Sequence, residues 1–269
     1  MPHIDVQGRK LYYESHGNHA GTPLVLAMGV GGSCQGWLPL QVPEFSKDRT
    51  TVIFDYPGVG QSEAYDGAFS TADLADTLDA FLSALSIPKA DVLGAFMGGM
   101  VAQELALRHA DRVSRLVLVG SYARADAKRR LLLQHWIDLA RGGASLETLV
   151  RDRLLWTAHD ATIEQTDLID AMVEFFTRDG APLSAEVFAL QCEACLAHDT
   201  RTRLPKIAAP ALVVSGGADL LTPPKLALEL TTGLADARLA TLSQAAHLVM
   251  VEAVESFNRT VLQFLEDGH

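Results

Sequence analysis

The chain has 269 residues, enough for one α/β domain with an inserted subdomain and for a core that needs no disulfide or metal staple. Its formal net charge of −11, from 22 basic and 33 acidic residues, argues against nucleic acid and anionic membrane surfaces as partners. No uncharged apolar stretch is long enough to span a bilayer, and Met1-Pro2-His3-Ile4-Asp5 is not a basic segment followed by an apolar run, so no secretory signal is read and a cytoplasmic setting is expected.

Val6 to Ser15 alternates weakly around Gly8 and predicts an opening β-hairpin. Leu24-Val25-Leu26-Ala27-Met28 is a short apolar run, hence a buried strand, followed by the glycine-rich loop Gly29-Val30-Gly31-Gly32-Ser33. A short helix is expected within Trp37 to Phe45, then a β-branched strand, Thr51-Val52-Ile53-Phe54. The turn-rich Asp55-Tyr56-Pro57-Gly58-Val59-Gly60-Gln61-Ser62 comes next. Leu74, Leu78, Phe81, Leu82 and Leu85 fall at helical spacing in Ala72 to Leu85, with Ser70 or Thr71 as cap. Asp91 to Leu93 ends a strand, small residues make a sharp turn, and a helix runs from Met97 to His109. Arg115 to Val119 is another strand.

From about Ser121 the strand–helix alternation stops. Arg124 to Arg203 shows only helical periodicity, broken at Gly142-Gly143 and Gly180-Ala181-Pro182, and predicts four helices: Arg124–Ala140, Leu146–Ala158, Ile163–Thr177 and Ser184–His198. A helical insert between strands reads as a cap, so the expected division is residues 1–121 and 204–269 for the core and 122–203 for the cap. Trp136, Trp156, Phe175, Phe176 and Phe188 belong to it. Most should pack the cap's own core, with Trp136 a candidate for a pocket roof. The sheet resumes at Ala211–Ser215. It continues through Gly216-Gly217-Ala218-Asp219-Leu220-Leu221-Thr222-Pro223, a helix over Lys225–Thr232, a strand at Arg238–Thr241, Gln244-Ala245-Ala246-His247-Leu248, and a terminal helix, Val249–Leu265. The fold class is therefore α/β, with a mostly parallel sheet covered on both faces, and its ligands should collect at the carboxyl ends of the strands.

Cys34, Cys192 and Cys195 are an odd, sparse set that reads as free thiols. Cys192-x-x-Cys195, without a second pair, reads as two thiols on one helix face rather than a metal or redox site. No metal-ligand cluster or nucleotide fingerprint is present, so no cofactor is expected. Gly94–Gly99 lacks both the Lys-Ser/Thr of a P-loop and dinucleotide-fingerprint spacing.

Four motifs, in order and at the right spacing, carry a family resemblance: Met28-Gly29-Val30-Gly31-Gly32, Asp55 to Ser62, Gly94-Ala95-Phe96-Met97-Gly98, and Asp219-x-x-Thr222-Pro223 with His247. The chain resembles α/β-hydrolases of the enol-lactonase and small-ester-hydrolase type over nearly its whole length, least in the cap. In that family Gly-x-Ser-x-Gly forms the nucleophile elbow, and the triad runs nucleophile, acid, histidine. The resemblance places the acid at Asp219, the histidine at His247, and the oxyanion-hole N–H groups at Val30 and Met97. Many relatives have histidine where this chain has Met28. Met28, Gly29, Ser33, Cys34 and Trp136 would then lie at the pocket. Asp219 as a helix cap and His247 as a structural loop histidine remain the plainer alternatives. Asp55 reads as a structural turn residue. Asp126 is a weaker alternative acid and Cys34 a weaker alternative nucleophile.

The departure is Phe96, which stands where the family serine belongs and cannot act as nucleophile, base or donor. Three readings follow. The chain is an enzyme acting on a small carbonyl compound (ester, lactone, enol or β-keto type) through a His247–Asp219 general acid–base dyad. Or it is a non-catalytic small-molecule binder. Or it is a Phe96 variant of an ordinary serine esterase or lactonase. The expected partner is a small molecule. Substrate identity and oligomeric state, a homodimer included, are left open.

Overall fold

The computed structural model describes residues 2–177 and 183–267, and the expected break at Gly180-Ala181-Pro182 lies outside them. The chain opens with a hairpin, β1 (His3–Val6) and β2 (Arg9–His16), then β3 (Leu24–Ala27), a 3-10 turn (Cys34–Trp37), α1 (Val42–Phe45) and β4 (Thr51–Phe54). Next come α2 (Thr71–Ala84), β5 (Ala90–Ala95), α3 (Met97–Arg108) and β6 (Val113–Val119). Helices α4 (Ala127–Arg141), α5 (Leu146–Thr157), α6 (Asp160–Ile163), α7 (Thr166–Thr177) and α8 (Ala185–Ala197) follow without a strand between them. The chain ends with β7 (Ala211–Gly216), α9 (Pro224–Gly233), β8 (Ala237–Leu242), α10 (Val249–Glu252) and α11 (Val254–Glu266).

The strands form one eight-stranded sheet in the order β1-β2-β4-β3-β5-β6-β7-β8. Only β1 and β2 run antiparallel to their neighbours; β4 onward pairs in parallel. Strands β3, β4, β5 and β7 are buried along their whole length, which is why they read as apolar runs rather than alternations. Pleating sends successive residues to opposite layers. Val25 and Ala27 pack with α2, α3 and α9. Leu24 and Leu26 pack with Trp37, Phe45 and the α11 residues Phe257 and Val261.

Local capping sets the helix boundaries. Ser70 and Asp73 form a reciprocal capping box on α2. Asp126 accepts from the Arg129 N–H at 2.9 Å and starts α4 three residues later than periodicity suggests. The helix expected over Ile163–Thr177 is α7, which starts three residues later, and a separate short α6 precedes it. Glu252 pins the short α6 by accepting from the His159 N–H at 2.6 Å and the Thr162 hydroxyl at 2.9 Å. The short helix expected within Trp37 to Phe45 is α1, which a 3-10 turn precedes, and the terminal helix breaks at Ala253. The chain entering α4 and the chain leaving α8 are tied together. Thr200 N–H donates to the Ala123 carbonyl at 2.9 Å, and the Thr200 hydroxyl donates to Gln103 Oε1 at 2.6 Å.

Between β5 and α3 the backbone reverses in a space that admits no side chain. A Cβ on Gly94 would enter the Gly98 carbonyl, and one on Gly98 would enter the Ala27 carbonyl. A Cβ on Gly99 would lie 2.7 Å from Ser121. Residue 96 at the apex is thereby forced to φ 45°, ψ −104°, a region costly for any bulky residue, at roughly 1–3 kcal/mol. It is held there by its own N–H on the Val119 carbonyl at 2.9 Å and by the Ser121 hydroxyl on its carbonyl at 2.9 Å.

Two predictions follow from this packing. Gly94→Ala forces overpacking against main chain and should lower the unfolding free energy by about 1–3 kcal/mol; urea denaturation of the variant beside the parent measures it, and an unchanged midpoint would contradict the close approach. The second concerns His198, which is 3% exposed and lies 2.9 Å from the Thr71 hydroxyl through Nδ1. Burial, with Arg203 nearby, pulls its pKa down from 6.5 to about 3. The unfolded chain takes up this proton first as pH falls, so stability is lost between about pH 6.5 and about pH 3, at up to about 1.4 kcal/mol per unit. His198→Gln should make stability against pH shallower in the upper part of that window; parallel curves would show that His198 does not drive the loss.

Candidate functional site

The strand ends and the loops after β3, β5, β7 and β8 converge on one cavity of about 150 Å³. Its floor is Gly29, Val30, Ala95 and Phe96, and His247 stands at one side. Above lie Trp136 of α4, Val150, Arg153, Leu154 and Thr157 of α5, and Met172 and Phe176 of α7. Met28 lines it too, its side chain packed against Gly32 and Gly36 where neither residue leaves room for a Cβ.

His247 and Asp219, distant in sequence, meet behind this cavity. His247 Nδ1 lies 2.9 Å from Asp219 Oδ2. Thr222 completes the arrangement: its N–H donates to Asp219 Oδ1 at 2.6 Å and its hydroxyl to Oδ2 at 2.6 Å, with that hydroxyl 3.1 Å from His247 Nδ1. Asp219 is 3% exposed. Burial alone would raise its pKa, but His247 and the two Thr222 bonds outweigh burial and hold the carboxyl below the usual carboxylate range. An ionised, buried acid on Nδ1 selects the Nδ1–H tautomer and leaves Nε2 as the free basic atom. The His247 loop is anchored from above. His247 and Leu248 both donate their backbone N–H to the Thr157 carbonyl at the end of α5, at 3.0 and 3.2 Å.

Phe96 is 3% exposed and stands edge-on between two rings. Its centroid is 5.5 Å from that of His247 at 82° and 5.7 Å from that of Tyr122 at 78°. Burial of the ring contributes about 1.5–3 kcal/mol, comparable to the backbone strain at that position. The Met97 N–H opens α3 and the Val30 N–H lies in the loop after β3. Among the described residues neither is taken up by a backbone hydrogen bond. Gly31 beside it donates to Gln191 Oε1 at 2.7 Å, which fixes the loop.

Three sequence-derived candidates lie elsewhere. Ser33 and Cys34, expected at the pocket, are buried behind the loop and do not line the cavity. The Cys34 N–H donates to Asp55 Oδ1 at 2.7 Å, and burial followed by Asp55 pushes its thiol pKa up, the opposite of an activated nucleophile. Asp126, the alternative acid, caps α4 and pairs with Lys225 at 2.8 Å, away from His247. Asp55 ties two loops together through the Cys34 and Gln61 N–H groups. Cys192 and Cys195 are free and buried in α8. Among the described residues no group of three or more His, Cys, Asp or Glu gathers as a metal site, and no helix is long and apolar enough to cross a membrane.

Arg153 was not singled out from the sequence, although the signal is there. Leu149, Val150, Arg153, Leu154 and Thr157 lie on one face of α5, and a single cation interrupts an otherwise inward-facing apolar stripe.

The fold agrees with comparisons across known proteins. Residues 22–254 match the sequence profile of the alpha/beta hydrolase fold. A protein provisionally assigned as carbamate hydrolase RutD of Azorhizobium caulinodans is 30% identical, over 98% of this chain and 98% of its own length. The crystal structure of the enol-lactonase from Burkholderia xenovorans LB400 superposes with a TM-score of 0.90 at 30% identity, covering 99% of this chain and 100% of that one. A protein provisionally assigned as the non-heme bromoperoxidase BpoC of Mycobacterium tuberculosis H37Rv superposes at 0.84 with 28% identity, over 95% of each chain. Both the match along the sequence and the eight-stranded sheet with its converging loops say the same thing: this chain belongs to the α/β-hydrolase fold family.

Proposed function

We propose that the chain is a hydrolytic enzyme acting on a small carbonyl compound without a covalent nucleophile at the elbow. The observation that supports this most is the relay Asp219–Thr222–His247, complete in its hydrogen bonds and presented to an apolar cavity. The α4–α8 segment serves as the cap over that cavity. A relative that is an enol-lactonase supports activated esters of the enol-lactone kind as substrates.

The chemistry uses water in place of a serine. His247 Nε2 takes a proton from a water molecule as its oxygen attacks the substrate carbonyl carbon. The C=O π pair moves to the carbonyl oxygen, which the Val30 and Met97 N–H groups stabilise. The tetrahedral intermediate collapses, the bond to the leaving oxygen or nitrogen breaks, and the imidazolium returns its proton to that atom. Asp219 stabilises the imidazolium throughout. Base catalysis of this kind is worth ~10²–10⁴-fold, which suits an activated acyl group and not an ordinary amide. Phe96 forms an apolar floor that excludes surplus water and gives the acyl group an aromatic surface.

A second reading, a binding protein without turnover, has one observation in its favour: the Phe96 ring stands edge-to-face against the His247 imidazole, where an acyl group would approach. The two are separated by assaying the parent, His247→Ala and Phe96→Ser on esters, enol lactones and carbamates. The proposal expects turnover by the parent, lost ~10²–10⁴-fold in His247→Ala, with an acyl-enzyme burst only in Phe96→Ser. An inactive parent beside an active Phe96→Ser would overturn it and leave the binding reading.

A further inference from the structure

Glu252 closes α10, a short way along the chain from His247, and does not line the cavity. Its carboxylate is half-buried and divides its two oxygens between two segments. Oε2 accepts from the Ala246 N–H at 2.7 Å, the amide immediately before His247. Oε1 accepts from the His159 N–H at 2.6 Å and from the Thr162 hydroxyl at 2.9 Å, at the start and inside of α6. Each of these partners is a donor, so a carboxylate satisfies both sides at once. An amide in its place would turn an NH2 group towards an N–H. Hydrogen bonds to a carboxylate are also stronger than neutral ones.

The loop that carries His247 is thereby held from two directions. On one side it belongs to the sheet. The Ala245 N–H donates to the Leu242 carbonyl at 3.2 Å, and the Ala245 carbonyl accepts from the Ala218 N–H at 3.0 Å. The Ala246 carbonyl lies against Gly216, where a Cβ would not fit. On the other side the successive N–H groups of residues 246, 247 and 248 all turn away from the sheet. The first goes to Glu252, and the next two go to the carbonyl of Thr157, the last residue of α5, at 3.0 and 3.2 Å. The Glu252 N–H returns to the Leu248 carbonyl at 2.8 Å and closes the loop on itself. The imidazole has its second fixed point in the core, at Asp219 Oδ2, 2.9 Å from Nδ1. A displacement of the loop pivots the ring about that contact and swings Nε2. A misplacement of about 1 Å in a reacting group can cost ~10²-fold in rate.

We propose that Glu252 is a positioning residue that couples His247 to α6, so that the orientation of the imidazole depends on how the α5–α6 segment is seated. The effect on turnover rests on the hydrolytic reading, whereas the coupling is read without substrate. Amide hydrogen exchange at residues 246–248 and the ¹⁵N shifts of the His247 ring are compared in the parent, Glu252→Ala, Thr162→Val and the double variant. Exchange at Ala246, His247 and Leu248 should be about 10- to 100-fold faster in Glu252→Ala, with exchange in β5 and β7 unchanged, which shows that the variant is folded. The ring shifts should move towards tautomer-averaged values. Thr162→Val keeps the side-chain shape and every contact of the loop itself, yet should shift the same signals in the same direction by a smaller amount. In the Glu252→Ala background it should add nothing. Where turnover is present, Glu252→Ala should lower kcat about tenfold with KM within about threefold, and Glu252→Gln, which keeps one acceptor oxygen, should recover part of the loss. Parent-like exchange and ring shifts in Glu252→Ala, a Thr162→Val effect confined to α6, or an equal Thr162→Val effect with and without Glu252 would each overturn the proposal. Should Glu252→Ala fail to fold, Thr162→Val and Glu252→Gln carry the same comparison. The expected exchange and shift changes in a protein that hydrolyses nothing would leave the coupling standing and remove the hydrolytic reading alone.

Discussion

Everything in the site depends on one close approach of main chain to main chain. Gly98, at the start of α3, is packed against the Ala27 carbonyl at the end of β3, with no room for a side chain between them. That contact sets the tightness of the turn after β5, lifts residue 96 above the sheet, and brings the loop after β3 beside the first N–H of α3. The oxyanion donors proposed at Val30 and Met97 come from these two segments, so their spacing is a consequence of backbone packing and is insensitive to the side chain at position 96. A phenylalanine is accommodated at φ 45° because Gly94, Gly98 and Gly99 keep the turn, and because its ring gains cover from Tyr122 and His247. The scaffold of the site and the identity of the residue at its apex are separable.

The same separation explains what chemistry the site is proposed to keep. Asp219 and His247 arise from loops after β7 and β8, and their pairing relies on Thr222 and on the anchoring of residues 247 and 248 to α5. None of these contacts involves position 96. A dyad built this way stays polarised whether or not a hydroxyl is present to be activated. On the proposed reading, phenylalanine at position 96 costs the covalent step and leaves proton transfer in place.

Much of this was legible in the sequence, and the exceptions have physical causes. The strand–helix alternation and the tight glycine turn after β5 follow from apolar runs and glycine placement, whereas Asp219 and His247, which lie 2.9 Å apart, were marked only by the family resemblance. Boundaries shifted where a side chain intervened: Glu252 pins the short α6, and Asp126 delays the start of α4. Ser33 and Cys34 were placed near the pocket by their nearness in sequence to the glycine loop. The 3-10 turn that begins at Cys34 carries them behind it, where Asp55 takes the Cys34 N–H. Arg153 was missed because a charged residue in a helical segment is ordinarily on the solvent side. Only its register with Leu149, Leu154 and Thr157 marks it as inward, and only the fold shows that it meets the Val30 carbonyl.

The 2.9 Å contact to Asp219 should fix the His247 imidazole with its proton on Nδ1, leaving Nε2 as an available base towards the cavity. Long-range ¹⁵N–¹H correlation spectra of the parent protein, recorded at alkaline pH where imidazoles are neutral and compared with Asp219→Asn, report this directly. The expected spectrum shows an Nδ1–H tautomer for His247 in the parent, with an unprotonated Nε2, and loss of that preference in Asp219→Asn. A parent protein whose His247 carries its proton on Nε2, or whose tautomer is unchanged by the substitution, would contradict it.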